Sequence, residues 1–152
     1  MKIIKDVAEL QSLVGQEIGV SEWLTITQNM IDDFARATGD FQWIHTDPEK
    51  AARFSPFGTT IAHGMLTLSL VPRFQMEIFR VEGIKMGINY GFKKVRFSSH
   101  VPVNSRIRMR AKLNSLEEYP SRSFKIYMGC TLELENSPKS VCSAESIFII
   151  YI

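Results

Sequence analysis

Asp40, His45, Asp47, His63 and Gly64 hold most of the chemistry this chain can offer, all within one short stretch. On a continuous helix Asp40 and His45, five positions apart, would point well away from each other. Gly39 precedes them and ends the helix that the upstream residues predict, so the backbone can fold the two groups together. Phe41, Trp43 and Ile44 lie between them, surroundings poor in water in which burial and mutual charge move both pKa values. A carboxylate and an imidazole so placed can hold one water, one group taking its proton while the other handles a proton elsewhere on a substrate. That suits addition of water across a double bond. The rival reading is structural: Asp40 caps a turn and His45 is a satisfied core histidine.

His45, Asp47 and His63 also invite a metal, because imidazole and carboxylate are ordinary ligands, but no known ligand spacing is present. No metal is expected, and His63 reads as a helix-start residue. His100, between Ser99 and Val101, has no partner in the sequence and is expected at the surface. Cys130 and Cys142 lie inside apparent strands and read as reduced core thiols rather than a bridge or a zinc site.

The elements that must position these groups are legible in outline. A strand fits Glu17 to Leu24, and Thr27 then caps a helix whose residues Met30, Ile31, Phe34, Ala35 and Ala37 keep three-to-four spacing. Asp47 as N-cap and Pro48 at the first helical position predict a short helix to about Phe54, broken by Ser55, Pro56, Phe57 and Gly58. From Ile61 to Phe79 apolar residues surround most of a helix rather than one stripe, so that helix should lie inside the molecule, with a bend near Pro72.

After Gly83 the period becomes two. Ile84, Met86, Ile88, Tyr90 and Phe92 alternate with other residues, and Lys93-Lys94 shifts the parity, which predicts a bulge. The stretches 106–113 and 124–134 alternate likewise and can form a hairpin closing near Tyr119 and Pro120, in a register that sets Arg106 against Glu133 and Ile107 against Leu132. Arg106, Arg108, Arg110 and Lys112 then share a face that is better read as solvated than as a phosphate-binding stripe. A last strand, Val141 to Tyr151, is apolar on both faces toward its end and should be interior. A mostly antiparallel sheet following an early helical segment is an α+β arrangement.

Composition agrees. The 152 residues are 45% apolar and 22% charged with a net charge of +2, which fits one domain over 1–152 and does not imply nucleic acid. Met1 to Gly19 carries no targeting pattern, and the longest apolar run, Ile147 to Ile152, is far short of a membrane span, so a cytoplasmic protein without membrane attachment is expected.

The segment from Ala37 to Pro48, ATGDFQWIHTDP, followed by Gly58 to Leu66, GTTIAHGML, resembles the MaoC-like dehydratase family, which includes the (R)-specific enoyl-CoA hydratases, and within it the nodulation-protein N-like subgroup. The resemblance extends to the order of elements over about residues 15 to 152. It implies the hotdog fold, in which an antiparallel sheet wraps a long apolar helix. It also implies that Asp40 and His45 are the catalytic dyad. The His63-Gly64 pair would open the central helix, with the Gly64 N–H receiving a thioester carbonyl as charge develops on it, and Ser69 matches a pocket serine of some hydratases. Gln42-Trp43 departs from the Asn-Pro of many hydratases and puts the loop shape and pocket width in question.

The activity implied is interconversion of a trans-2-enoyl-CoA and an (R)-3-hydroxyacyl-CoA, with no redox cofactor, on a substrate carried by CoA or acyl carrier protein, in a homodimer whose acyl sites lie near the subunit boundary. Arg53, Arg73, Lys93, Lys94 and Arg96 are available for CoA phosphates, none singled out by spacing. Two rivals remain on the same fold: an acyl-CoA thioesterase, and a protein that binds an acyl thioester without turning it over.

Overall fold

Thr27 and Gly39 bracket the longest helix as their residue types require. In the computed structural model, which describes residues 1–152, α2 spans Gln28–Thr38. The Thr27 hydroxyl accepts the Met30 N–H at 3.3 Å, and Gly39 closes the far end in the left-handed region at φ 81°, where a Cβ would be strained. Before it come β1 (Lys2–Ile4), α1 (Val7–Ser12), β2 (Glu17–Val20) and β3 (Leu24–Thr25). The single strand expected from Glu17 to Leu24 is thus two pieces, both paired with the same neighbour. Between them the Ser21 hydroxyl accepts the Met109 N–H at 2.9 Å, and a side-chain oxygen in place of a strand carbonyl interrupts the ladder.

After α2 come two short helices, α3 (Trp43–Thr46) and α4 (Pro48–Phe54), the second capped by the Asp47 carboxylate, which accepts the Lys50 N–H at 2.9 Å. The apolar helix begins at Gly64 rather than Ile61 and is divided into α5 (Gly64–Ser69) and α6 (Val71–Ile78). Pro72 is the cause. Inside a continuous helix its ring would meet the Leu68 carbonyl; with the break at Leu70, it falls in the first turn of α6, where no N–H is needed. Leu66, Leu68, Val71, Phe74 and Ile78 are buried, so the helix is interior as its composition demands.

The sheet is antiparallel, in the order β2-β6-β7-β8-β5, with β3 also on β6; its long members are β5 (Met86–Phe97), β6 (Arg106–Tyr119), β7 (Ser123–Leu134) and β8 (Ser140–Tyr151). A small parallel pair, β1 with β4 (Phe79–Val81), follows α6. Ile107, Met109, Ala111 and Leu113 on β6 and Ile126, Met128, Cys130 and Leu132 on β7 are all buried, one face of each strand as the alternation predicts. β8 is interior, between β7 and β5. Both cysteines are free and buried, and burial pushes the Cys130 thiol up to about 12 and the Cys142 thiol up to about 11. No helix is long and apolar enough to cross a membrane.

The β6–β7 register differs from the expected one. Arg108, not Arg106, stands opposite Glu133, and Ile107 faces Leu134. A slip of two residues keeps every side chain on its own face, so alternation alone cannot detect it. The turn decides: Tyr119 pairs with Ser123 across Pro120-Ser121-Arg122, with Ser121 and Arg122 at φ 68° and 55°. In consequence Arg106 pairs with Glu135, while Arg108 and Arg110 both donate to Glu133, at 2.8 and 3.1 Å. Arg110 also reaches Glu17 at 2.9 Å. The arginine row is an ion-paired surface.

On β5 the predicted bulge is present: Lys94 has φ 54° and the pairing with β8 shifts between Lys93 and Arg96. The strand is the sheet edge, and its large apolar residues are not covered. Met86, Ile88, Tyr90, Val95 and Phe97 are all exposed.

Candidate active site

The helix stop at Gly39 turns the chain so that Asp40 begins a new corner. The Asp40 Oδ1 accepts the Gln42 N–H at 3.3 Å, the turn-capping role that a structural reading assigns it, while Oδ2 remains available and the side chain is half exposed. Gln42 then starts α3, a single turn that carries His45 inward, where it is buried. Its Nδ1 lies 2.7 Å from the Ile61 carbonyl. A carbonyl only accepts, so Nδ1 bears the hydrogen and Nε2 keeps its lone pair. Burial holds the His45 pKa below 6.5 against the opposing pull of that carbonyl; His63 lowers it further and Asp40 raises it. At neutral pH His45 is a neutral imidazole with one basic nitrogen.

The Ile61 carbonyl is itself held from two sides. The Ile61 N–H donates to Ile44 at 3.1 Å, and the next residue, Ala62, donates to Val101 at 2.8 Å. Gln28, which sequence reasoning did not single out, ties the same region together: its amide donates to the His45 carbonyl and to Asp32, each at 2.8 Å, and accepts the Thr60 hydroxyl at 2.6 Å. A glutamine opening a helix has no pattern that would have marked it.

His63 is the larger difference from expectation. It occupies the N-cap position of α5 but makes no capping bond with its side chain. Its ring instead stacks on His45, centroids 3.9 Å apart at 26°, and its Nε2 donates to the Asp40 backbone carbonyl at 3.0 Å with the Asp40 Oδ2 at 4.0 Å. The polar atoms of Asp40, His45 and His63 lie within 4.8 Å of one another. Asp47 takes no part, its carboxylate capping α4.

This trio suits a metal poorly. One nitrogen of each imidazole already serves a carbonyl, and the remaining lone pairs lie in two nearly parallel ring planes that cannot meet at an ion about 2.0–2.1 Å from both.

Gly64 opens α5, whose first intrahelical bond comes from the Thr67 N–H to His63 at 3.2 Å, leaving the N–H groups before it without helical partners. A Cβ on Gly64 would stand 3.1 Å from the Phe97 ring, close enough that the ring would have to give by a few tenths of an ångström. Ser69 is exposed and its hydroxyl donates to the Leu66 carbonyl at 2.7 Å, within its own helix. Trp43 is half-buried with the Lys50 ammonium 5.1 Å from its ring, so it is not a core residue. His100 is exposed as expected, but it has a partner, the Phe57 ring at 4.4 Å.

Of the cations considered for phosphate, Arg73 pairs with Glu77 at 3.3 Å and Lys93 lies over Tyr127, while Arg53, Lys94 and Arg96 are exposed. A groove of about 760 Å³ runs between α6, β4 and β5, lined by Met76, Phe79, Ile88 and Phe148 among others. None of its walls comes from Asp40, His45 or His63, so this groove does not adjoin the pair.

Similarity to known proteins shows the family. The chain is 48% identical over 147 residues to 3-hydroxyacyl-thioester dehydratase Z of Mycobacterium tuberculosis, covering 97% of each chain. It is 43% identical to nodulation protein N of Rhizobium leguminosarum bv. viciae, over 94% of this chain and 89% of the relative. The fold matches that of an unliganded R-hydratase from Pseudomonas aeruginosa with a TM-score of 0.71 at 24% identity, over 96% of this chain and 85% of the other. The MaoC like domain model matches residues 9–127. With an antiparallel hotdog sheet around its apolar helix and that match across most of its length, the chain belongs to the MaoC-like domain family.

Proposed function

We propose that this protein is a hydratase/dehydratase of acyl thioesters, interconverting a trans-2-enoyl and an (R)-3-hydroxyacyl thioester carried by CoA or acyl carrier protein, with Asp40 and His45 as the reacting pair. The supporting observation is the locked tautomer of a buried His45, its Nδ1–H given to Ile61, which leaves a basic nitrogen in one cluster with the Asp40 carboxylate. In the hydration direction a water held by the pair adds its oxygen to C3. The O–H bond of that water breaks as the C3–O bond forms, with one group of the pair taking the proton; the C2–C3 π electrons pass through the thioester and form the C2–H bond with that same proton, so the pair returns to its starting protonation. Charge that builds on the thioester oxygen meets the Gly64 N–H at the start of α5. The dehydration direction reverses each transfer, and no redox step occurs.

The working form is a homodimer joined at β5. That edge carries the exposed Met86, Ile88, Tyr90, Val95 and Phe97, and Phe97 also packs on Gly64, so a second copy there would border the site. Two buried, protonated thiols fit a reducing cytoplasm.

The deciding experiment follows the absorbance of an enoyl thioester with purified protein, then with Asp40→Asn and His45→Gln. Loss of absorbance with the wild type and a fall of roughly 10² to 10⁴-fold in each variant are expected. Normal turnover in both variants removes the pair from the mechanism, and release of free thiol without hydration reassigns the protein to thioester cleavage.

A further inference from the structure

We propose that His63 is a positioning residue of this site: it binds the Asp40 corner through its Nε2–H, supports the His45 ring face to face, and through its own peptide sets where the Gly64 N–H stands. This role rests on the reading of Asp40 and His45 as the reacting pair, and it adds a third side chain to which no step of the chemistry has been given.

A histidine that merely opened a helix would turn its ring toward the free N–H groups of that helix or toward solvent. His63 does neither, since it makes no side-chain cap and is 3% exposed. Its ring lies between fixed neighbours, His45 stacked at 3.9 Å and Phe34 tilted at 5.0 Å. The hydrogen bond to the Asp40 carbonyl at 3.0 Å joins two segments 23 residues apart in sequence. Asp40 follows directly on the helix stop at Gly39 and is exposed, and a corner of that kind is mobile unless something holds it.

The arrangement has an uncompensated part. The His63 Nδ1 is buried with no hydrogen-bond partner. Glutamine could supply the same donor but not the stacked face; phenylalanine could supply the face but not the donor. Histidine supplies both.

His63 also shapes the electrostatics of His45, whose pKa it lowers. The titratable groups facing His45 are Asp40 from the α2–α3 corner and His63 from the start of α5. α2 contributes the neutral Gln28, with Asp32 on the same amide, and the ring of Phe34 stands against His63; β5 contributes the apolar Phe97 at Gly64. Replacing His63 by glutamine removes that influence, so the titration midpoint of His45 should rise.

The test uses the full chain with His63→Gln and His63→Phe, reading both steady-state kinetics and the His45 imidazole titration by NMR. In His63→Phe, with the Asp40 corner released, kcat should fall roughly 10²-fold while KM changes by less than about threefold; in His63→Gln, with the donor restored, kcat should recover to within about tenfold of wild type. The His45 midpoint should rise in His63→Gln. Equal losses in the two variants with an unmoved His45 midpoint would mean a purely structural residue, and wild-type kcat in His63→Phe would remove the positioning role. Should His63→Phe not fold, His63→Gln decides alone, because a kcat more than about tenfold below wild type there, despite the restored donor, overturns the proposal. The NMR reading does not depend on turnover, so failure of the hydratase assignment, seen in Asp40→Asn and His45→Gln, is distinguishable from failure here.

Discussion

Two polar regions of this molecule are built on opposite terms. On the outer face of the sheet Arg106, Arg108 and Arg110 each meet a carboxylate in partial solvent, with Arg108 also over Trp23. At the corner between α2 and α5, Asp40, His45 and His63 converge with two imidazoles stacked, buried, and one nitrogen without a partner. The first is a surface that water could satisfy equally well. The second is a place where the fold buries two imidazoles beside a half-exposed carboxylate, a setting that lowers the pKa of His45.

The sharpest break of this comparison is the double variant Asp40→Asn/His45→Gln. If the corner acts as a unit, the double variant should be no slower than the worse single variant, not slower by the product of the two losses, as the same thioester assay would show. Asp40→Asn by itself should leave stability within about 0.5 kcal/mol by denaturant unfolding, because asparagine can still accept the Gln42 N–H; a large loss would show that the charge of Asp40 holds the fold.

Gly64→Ala comes next. The added methyl meets the Phe97 ring at 3.1 Å, so a loss of about 1–3 kcal/mol is expected by thermal unfolding, together with lower turnover. Adding Phe97→Leu should restore stability, and turnover that stays low in the double variant would show that the acyl group also needs the space. A charge on the open edge, Ile88→Lys, should shift the protein from dimer to monomer in light scattering, with turnover falling alongside if a second copy completes the site.

The pH dependence is a smaller effect with a fixed sign. His45 in the folded chain has a pKa below 6.5, so the unfolded chain binds the proton first as pH falls. Its contribution to stability is complete above pH 6.5 and is lost as pH drops toward the folded value; the acid limb of kcat/KM should lie below 6.5 in the same assay. Smallest of all, Arg108→Ala on the outer face should change stability by no more than about 1 kcal/mol and leave turnover unchanged. A large loss of activity there would end the distinction between the two regions.

Much of the corner is legible because it depends on local chemistry. Thr27, Gly39 and the Asp47-Pro48 pair cap and stop their helices through contacts with residues three or four positions away, and such contacts follow from residue type alone. The parity change at Lys93-Lys94 marks its bulge for the same reason. The hairpin register was not legible, since two registers separated by two residues bury the same side chains, and neither was the exposure of β5, since alternation says that a strand can face a core but not whether this chain provides one.

From residue types and spacing alone came the helix stop before Asp40, the antiparallel sheet and the interior helix, all consequences of backbone preference and hydrophobic period, whereas the choice of Asp40 and His45 as a pair rested on the family resemblance. Only the tertiary structure decided that His63 lies against His45, that Ile61 selects the His45 tautomer and that Phe97 occupies the space over Gly64. These contacts join residues 16 to 33 positions apart, and a contact across that distance is determined by how whole elements pack rather than by anything written locally in the chain.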